Sequence, residues 1–435
     1  HTSSIAVTGV QTCALPISAD YFSDQEIAQE PYAYLDYLRE QNPVFQEPKY
    51  QVYAVTGYDE TVAAFKDHES FSAANAIGGP FPPLPFEPAG DDISAQIEAH
   101  RHEFPIAYLM VVMDPPEHTK ARSLLSRLLT PARLKENEDF MWELADRQLE
   151  EFIANGRCEF LSEYAKPFAT LVIADLLGVP AEDREKFRVK LASIGGAVGS
   201  LEGEAVAVNP LQWLEDQFTA YIAGRREHPQ DDILTELANA KYPDGSTPEV
   251  EDVVHQATFL FAAGQETVVK LLSSSVRMLA ERPDLQAQLR EDRKLVGPFV
   301  EESLRMESPT KVDFRLARKT TTLGGVPIKA GSTLMLCLGA ANRDPRKFEN
   351  PNEFRIDRKN VREHIAFGRG IHTCAGAPLA RVEAQVTLNR LLARARDIAI
   401  NEGQHGPAGD RHYRYEPTFL LRGLTDLHIT FTPAD

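Results

Sequence analysis

Four cysteines in 435 residues are too few for a disulfide framework, so a reducing cytoplasm is the expected compartment. No stretch approaches the roughly 18 apolar residues that a membrane-spanning helix requires. The most apolar run, ATFLFAAG at 257–264, has the length of a buried helix segment. Positive charge is in the minority, since 46 Lys and Arg against 64 Asp and Glu leave a formal charge of −18. That balance argues against a nucleic-acid partner, because phosphate binding needs a basic surface. Internal repeats are lacking, as is a linker that would cleanly split the chain. There is no glycine-rich flavin or nicotinamide fingerprint and no cysteine set for an iron–sulfur cluster, so nothing reads as a reductase.

What is present is mostly helix. PYAYLDYLREQ (31–41) and YDETVAAFKDH (58–68) read as helices, with two strands, PVFQE and QVYAVT, between them. From Ser70 to Pro105 the prolines and glycines of IGGPFPPLPFEPAGDD and its flanks forbid a regular helix. A connection of this length that carries Phe81, Leu84 and Phe86 suggests a covering role. Helical windows near 132–155, 162–178 and 205–226 precede the longest, PEVEDVVHQATFLFAAGQETVVKLLSSSVRMLAERP (248–283). Prolines bracket it and acids occupy its first turn. About 33 residues at ~1.5 Å each span roughly 50 Å, enough to cross a whole domain. Another helix covers 294–307, then come strand-like TTTLGGVPIKAGSTLMLCLG, a polar meander from Asn342 to Arg362, and an amphipathic helix at 376–396. The class is therefore mainly α with small β-sheets (α+β).

Residues 1–18 do not continue the charged segment that follows them, and Val7–Ser18 looks like the translation of a sequencing-library adapter. They are expected to be a non-native leader, which sets Cys13 aside and leaves Cys158, Cys337 and Cys374. The first two read as small buried hydrophobes. Cys374 differs, because Gly368, Gly370 and Gly376 surround it in AFGRGIHTCAGAPLAR (366–381). Glycines cost conformational entropy, so something there needs bare backbone. Local amides and the dipole of the following helix would favour a thiolate. Such a thiolate could be a nucleophile with His372 as base, or a metal ligand. Zinc would want further ligands that the neighbourhood lacks. Haem iron needs one protein ligand and open space for a flat macrocycle, which the glycines suit best.

FGRGIHTCAGAPLARVE resembles the haem-binding signature of the cytochrome P450 family: Phe367, Gly368, Gly370, His372, Cys374, Gly376, Leu379, Ala380, Arg381 and Glu383 all fall where that pattern expects them. Three further segments can be read in isolation as ordinary. Glu302 and Arg305 in EESLRMESPT are neighbours on one helix face, a routine surface pair. His118 and Arg122 in EHTKAR sit one turn apart after DPP, a helix start. In AAGQET, Thr267 could bond back to its own i−4 carbonyl and leave Glu266 solvated.

The resemblance gives each of these a role. It implies a single P450 domain over 19–435, with a long central helix crossing over the haem. Cys374 becomes the axial ligand of haem b, seated on Phe367, Gly368 and Gly376. The propionates would be met by His118, Arg122, Arg315 and His372, since cationic donors suit them. Glu302 and Arg305 become a buried pair joined by Arg358, supporting the haem loop. Ala263 and Gly264 leave room for dioxygen, while Glu266 and Thr267 serve proton delivery; Glu in place of Asp is a departure seen within the family.

The activity so implied is a bacterial, cytoplasmic, monomeric monooxygenase that inserts one atom of O2 into a hydrophobic small molecule. Its electrons would come from an external ferredoxin and ferredoxin reductase, with Lys120, Arg127 and Arg369 as a local basic patch. By position the pocket draws on Phe81, Leu84, Phe86, Phe259, Leu260, Val312, Phe314, Phe419 and Leu420, while Lys311 and Asp313 could orient a polar tail of the substrate or face solvent, the second being favoured. The alternatives are a peroxide-dependent oxygenase, a non-catalytic haem-thiolate binding protein, and a cysteine hydrolase using Cys374 and His372.

Overall fold

The computed structural model describes residues 19–192 and 211–434. The leader expected at 1–18 and the start of the 205–226 window lie outside them. The central helix runs Val250–Ala280. Its start is fixed by a reciprocal cap, in which the Glu249 side chain accepts from the backbone of Asp252 and the Asp252 side chain accepts from Glu249 N–H. Pro283 opens the next helix, Pro283–Glu291. At ~1.5 Å per residue the central helix is about 46 Å long. It packs against helices Glu117–Ser126, Lys166–Leu176, Gln212–Glu227, Val296–Met306 and Ala377–Arg394. The largest apolar core surrounds it.

The strands are short. A five-stranded sheet has the order Val44–Gln46, Tyr53–Val55, Thr333–Leu336, Asp313–Ala317, Phe71–Ser72, with one parallel pairing between the second and third. Thr321–Leu323 and Val326–Ile328 form a hairpin through Gly324 and Gly325. Both glycines have positive φ, 57° and 81°, as a two-residue turn of this hand demands. The third sheet joins Arg157–Glu159, His428–Pro433 and Ala395–Ile400.

Three local expectations are corrected. The 70–105 stretch does contain a short helix, Ser94–Ala99, between Pro88 and Pro105. Asp92 accepts from Ser94 N–H at 2.9 Å, and buried Ile93 and Ile97 pin one face. The 162–178 window is a wide π-type turn, Leu161–Ala165, followed by a helix, Lys166–Leu176; Pro167 cannot donate to the i−4 carbonyl. Lys311 does not face solvent: it is 1% exposed, with Nζ 3.5 Å from the Ala28 carbonyl and close to the Tyr21 ring. The segment that covers it lies some 283 positions away in sequence, a contact no local pattern announces.

Candidate functional site

Cys374 lies at the end of a loop whose backbone is set by two glycines, Gly368 and Gly370, at φ of 66° and 74°. At Gly370 a Cβ would fall 2.3 Å from the Phe65 carbonyl oxygen, so the loop can rest on the end of the Tyr58–Lys66 helix only without a side chain there. Cys374 N–H donates to the Phe367 carbonyl at 2.9 Å. The sulfur faces the start of helix Ala377–Arg394, where the Gly376 and Ala377 amides act on it.

The three described cysteines separate sharply. Cys158 and Cys337 are buried, and burial pushes both thiols up. Cys374 is exposed although protein surrounds it, so its surface opens into an internal space. Burial pushes this thiol up too, with the two amides, Arg122 and Arg381 pulling the other way. The local dipoles therefore do not make a thiolate by themselves, and a cation on the sulfur would complete the task. Among the described residues no cluster of three or more His, Cys, Asp or Glu could hold a metal ion.

Beside the sulfur, four cationic or protonatable groups converge from three segments. The His118 and His372 rings lie 4.2 Å apart. Arg122 donates through Nη2 to the Thr373 carbonyl at 2.7 Å. Arg315 donates through Nη1 to Asp313 at 3.0 Å and to the Phe314 carbonyl at 2.6 Å, and its guanidinium lies over Phe65. Burial, then the charge of Arg122, pushes His118 down to about 4. Burial, then Arg315 and His118, pushes His372 well below the usual histidine range. His118 Nε2, His372 Nε2 and Arg315 Nη2 are buried and have no hydrogen-bond partner among the described residues. Unsatisfied donors crowded with like charge fit a bound dianion, such as a pair of carboxylates.

On the central helix, Ala262–Thr267 all keep partial exposure, whereas the flanking turns are largely buried. Phe259, Ala263 and Thr267 share one stripe at successive i+4 positions. Thr267 Oγ1 donates to the Ala263 carbonyl at 2.8 Å, the back-bonded arrangement that the isolated sequence allowed. At Gly264 a Cβ would sit 3.4 Å from Ile173 Cδ1, an ordinary van der Waals contact with the facing helix. Glu266 is half-buried and pairs with Lys270 at 3.3 Å. Burial raises its carboxyl above the usual range, Lys270 opposes this, and Glu416 adds to it.

Underneath, Glu302 and Arg305 are both 0% exposed, so this is no surface pair. Arg305 grips Glu302 with Nε and Nη2, each at 2.8 Å, and Arg358 Nε reaches both carboxylate oxygens at 3.2 and 3.3 Å. The remaining guanidinium donors are taken by meander carbonyls, at Asn342 and Pro351 for Arg305 and at Glu349 for Arg358.

A second network had been missed. Glu301 Oε2 lies 2.9 Å from His364 Nε2, and Arg381 Nε donates to Glu301 Oε1 at 2.6 Å. Burial would raise this carboxyl, but His364 and Arg381 hold it down to about 2. The Arg381 guanidinium also lies 4.6 Å from the Phe367 ring centroid, which ties the network to the cysteine loop. Arg381 stood in the signature without a role; nothing local pointed to His364.

The nine pocket residues fall into three groups. Phe259 and Leu260 belong to the core around the central helix. Val312, Phe314, Phe419 and Leu420 share a second cluster. Phe81 lies at its edge, 41% exposed, against Phe22 and Tyr50. Leu84 and Phe86 pack apart, near Ile93, Ile97 and Phe104. The basic patch is largely committed: Lys120 pairs with Glu117 at 3.3 Å, and Arg369 donates to the carbonyls of Gly368, Glu363 and His364.

A lone sulfur at a helix start with a rim of unsatisfied donors beside it is an arrangement that would suit a haem and its two carboxylates. The chain belongs to the cytochrome P450 family and is a P450 monooxygenase. The Cytochrome P450 family model matches residues 214–404. A "Biotin biosynthesis cytochrome P450" of Bacillus subtilis is 33% identical over 418 residues, 94% of this chain and 98% of that protein. Substrate-free cytochrome P450 CYP150A6 of Mycobacterium marinum superposes with a TM-score of 0.91 at 63% identity, covering 96% of this chain and 100% of that one. P450BioI, in complex with acyl carrier protein ligated to hexadec-9Z-enoic acid, gives 0.78 at 32% identity, with 94% and 99% covered. Among the described residues no helix is long and apolar enough to cross a membrane.

Proposed function

We propose that this P450 holds haem b through Cys374 and hydroxylates a medium-sized hydrophobic molecule. Its electrons come one at a time from an external ferredoxin and ferredoxin reductase, and it works as a cytoplasmic monomer. The reading rests above all on the orphaned donors of His118, His372 and Arg315 beside an exposed but enclosed Cys374. With Arg122, these donors would hold the propionates. Haem ligated by thiolate supplies dioxygen activation biased toward O–O cleavage.

The chain's own residues do the rest. Gly368 and Gly370 let the loop approach without side chains, and the Gly376 and Ala377 amides face the sulfur. The Glu302–Arg305–Arg358 triad braces the meander, and Glu301–His364–Arg381 braces the loop itself. Thr267 Oγ1 holds a proton at the open turn, and Glu266 is the acid beside it. That pair favours an O2-dependent oxygenase over a peroxide-driven or non-catalytic haem protein, neither of which needs it. Partly buried Phe259 and buried Leu260, Val312, Phe314, Phe419 and Leu420 support an apolar substrate by their chemistry.

Cys374→Ser tests the assignment. The native protein is expected to give the reduced-CO absorption band of thiolate ligation and the variant to lose it. The same band in both would remove this sulfur from the iron.

A further inference from the structure

Glu266 is not joined to Thr267 by a hydrogen bond; its carboxylate is held by Lys270, one turn further along the helix. The Lys270 side chain is 3% exposed, and unlike buried Lys311 it has carboxylates to meet its charge. Its Nζ lies 3.3 Å from Glu266 Oε1 and 2.6 Å from Glu416 Oε2, while Glu416 is 28% exposed at its side chain. Glu416 belongs to the turn 415–424, pinned by its own N–H to the Gly423 carbonyl at 2.9 Å and by pairing of Tyr415 with Leu424. The lysine stem runs directly under Gly423: a Cβ there would stand 2.4, 3.0 and 3.2 Å from Cγ, Cδ and Cε. The amine thus has one path and two acceptors, one at the reactive turn and one toward solvent.

We propose that Lys270 is a positioning residue that holds the Glu266 carboxylate toward the 415–424 turn, and that Glu416, Lys270 and Glu266 form the chain along which solvent protons reach Glu266. The inference rests on the reading of Glu266 as the acid of proton delivery. The step balances within the chain. An Nζ–H bond of the ammonium breaks, leaving its electron pair on nitrogen, and an Oε1–H bond forms on Glu266. The amine then takes the proton of a protonated Glu416, which is refilled from water, so one proton has moved inward and Lys270 is restored. Lys270 from its own helix and Glu416 from the facing turn are the charged groups that bear on the Glu266 carboxyl.

The test of the positioning role uses substrate-free holoenzyme and needs no turnover. The carboxyl stretch of Glu266 in the infrared, isolated by subtracting Glu266→Gln, is followed against pH in native protein, Lys270→Met and Lys270→Arg. Removing an opposite charge at hydrogen-bond distance should move the midpoint up by about one on the pH scale or more, and arginine should bring it back. A midpoint unchanged in Lys270→Met overturns the positioning role. Glu416→Gln should lower turnover several-fold and enlarge its D2O effect; native values there overturn the proton chain. Should Lys270→Met fail to take up haem, Lys270→Gln replaces it for the midpoint and Glu416→Gln still decides the proton chain. A native protein without the thiolate-type CO band sinks the functional reading, whereas an unchanged midpoint with that band intact sinks this inference alone.

Discussion

Glu302→Ala is the sharpest perturbation that the structure offers. The carboxylate takes two N–H groups of Arg305, the Arg358 Nε–H shared between its oxygens, and the Arg355 backbone N–H at 3.0 Å. Arg305 is 0% and Arg358 3% exposed at the side chain, so alanine leaves two buried guanidinium groups without their counter-charge. Removing one partner of a buried pair costs about 3–5 kcal/mol. Both arginines keep their meander carbonyls, which favours the lower half of that range. Unfolding entropy near 2.1 cal/mol/K per residue gives about 0.9 kcal/mol/K for roughly 420 residues unfolding as one step, so the melting point should fall by about 3–5 °C. Calorimetry on purified protein measures this, with Soret absorbance followed alongside. Because the triad braces the meander that leads into the cysteine loop rather than the sulfur itself, haem should be lost at a lower temperature than in native protein. A melting point within about 1 °C of native would refute the account of the triad as the brace of this site.

Gly370→Ala must adopt φ near 74° and place its methyl 2.3 Å from the Phe65 carbonyl. Sharply reduced haem occupancy, read as the ratio of Soret to 280 nm absorbance, is expected; full occupancy would mean that the loop does not rest on that helix. Haem-free protein should lose stability in acid through His118. Its ring is pushed from 6.5 down to about 4, so the unfolded chain takes up its proton first as the pH falls. The contribution is complete above pH 6.5, shrinks on the way down to pH 4 and amounts to roughly 3 kcal/mol. Urea midpoints across that window should slope less steeply in His118→Gln, and equal slopes would count against it. Thr267→Val removes the hydroxyl that bonds Ala263 and should keep the haem while releasing more peroxide per electron consumed. An unaltered ratio of peroxide to electrons would separate Thr267 from proton delivery.

Local chemistry explains which parts of the molecule could be read in advance. The central helix is announced by its bracketing prolines, first-turn acids and apolar length, and the hairpin by Gly324–Gly325 within alternating residues. The cysteine loop is legible because glycines are costly and are retained where backbone must come close. The companions of the site were harder. Glu301 and His364 are 63 positions apart, and Lys270 and Glu416 are 146 apart; only the fold brings each pair together. Lys311 shows the same limit, since its cover comes from the N-terminal segment. Order along the chain suggests the pocket residues but not their packing, and the fold distributes them over three clusters because they come from separate segments, with Phe259 and Leu260 in one, Phe419 and Leu420 in another and Leu84 and Phe86 in the third.

Glu301 and Glu302 are adjacent on one helix yet answer to different parts of the chain, the first to the cysteine loop and the second to the meander. That division dictates where genes of this kind can be spliced. A hybrid that draws residues 296–306 from one parent and 342–381 from another must match two acid–base registers at once. Crossovers placed before or after the whole interval inherit both intact. Libraries cut inside it should be enriched in colourless, haem-free products.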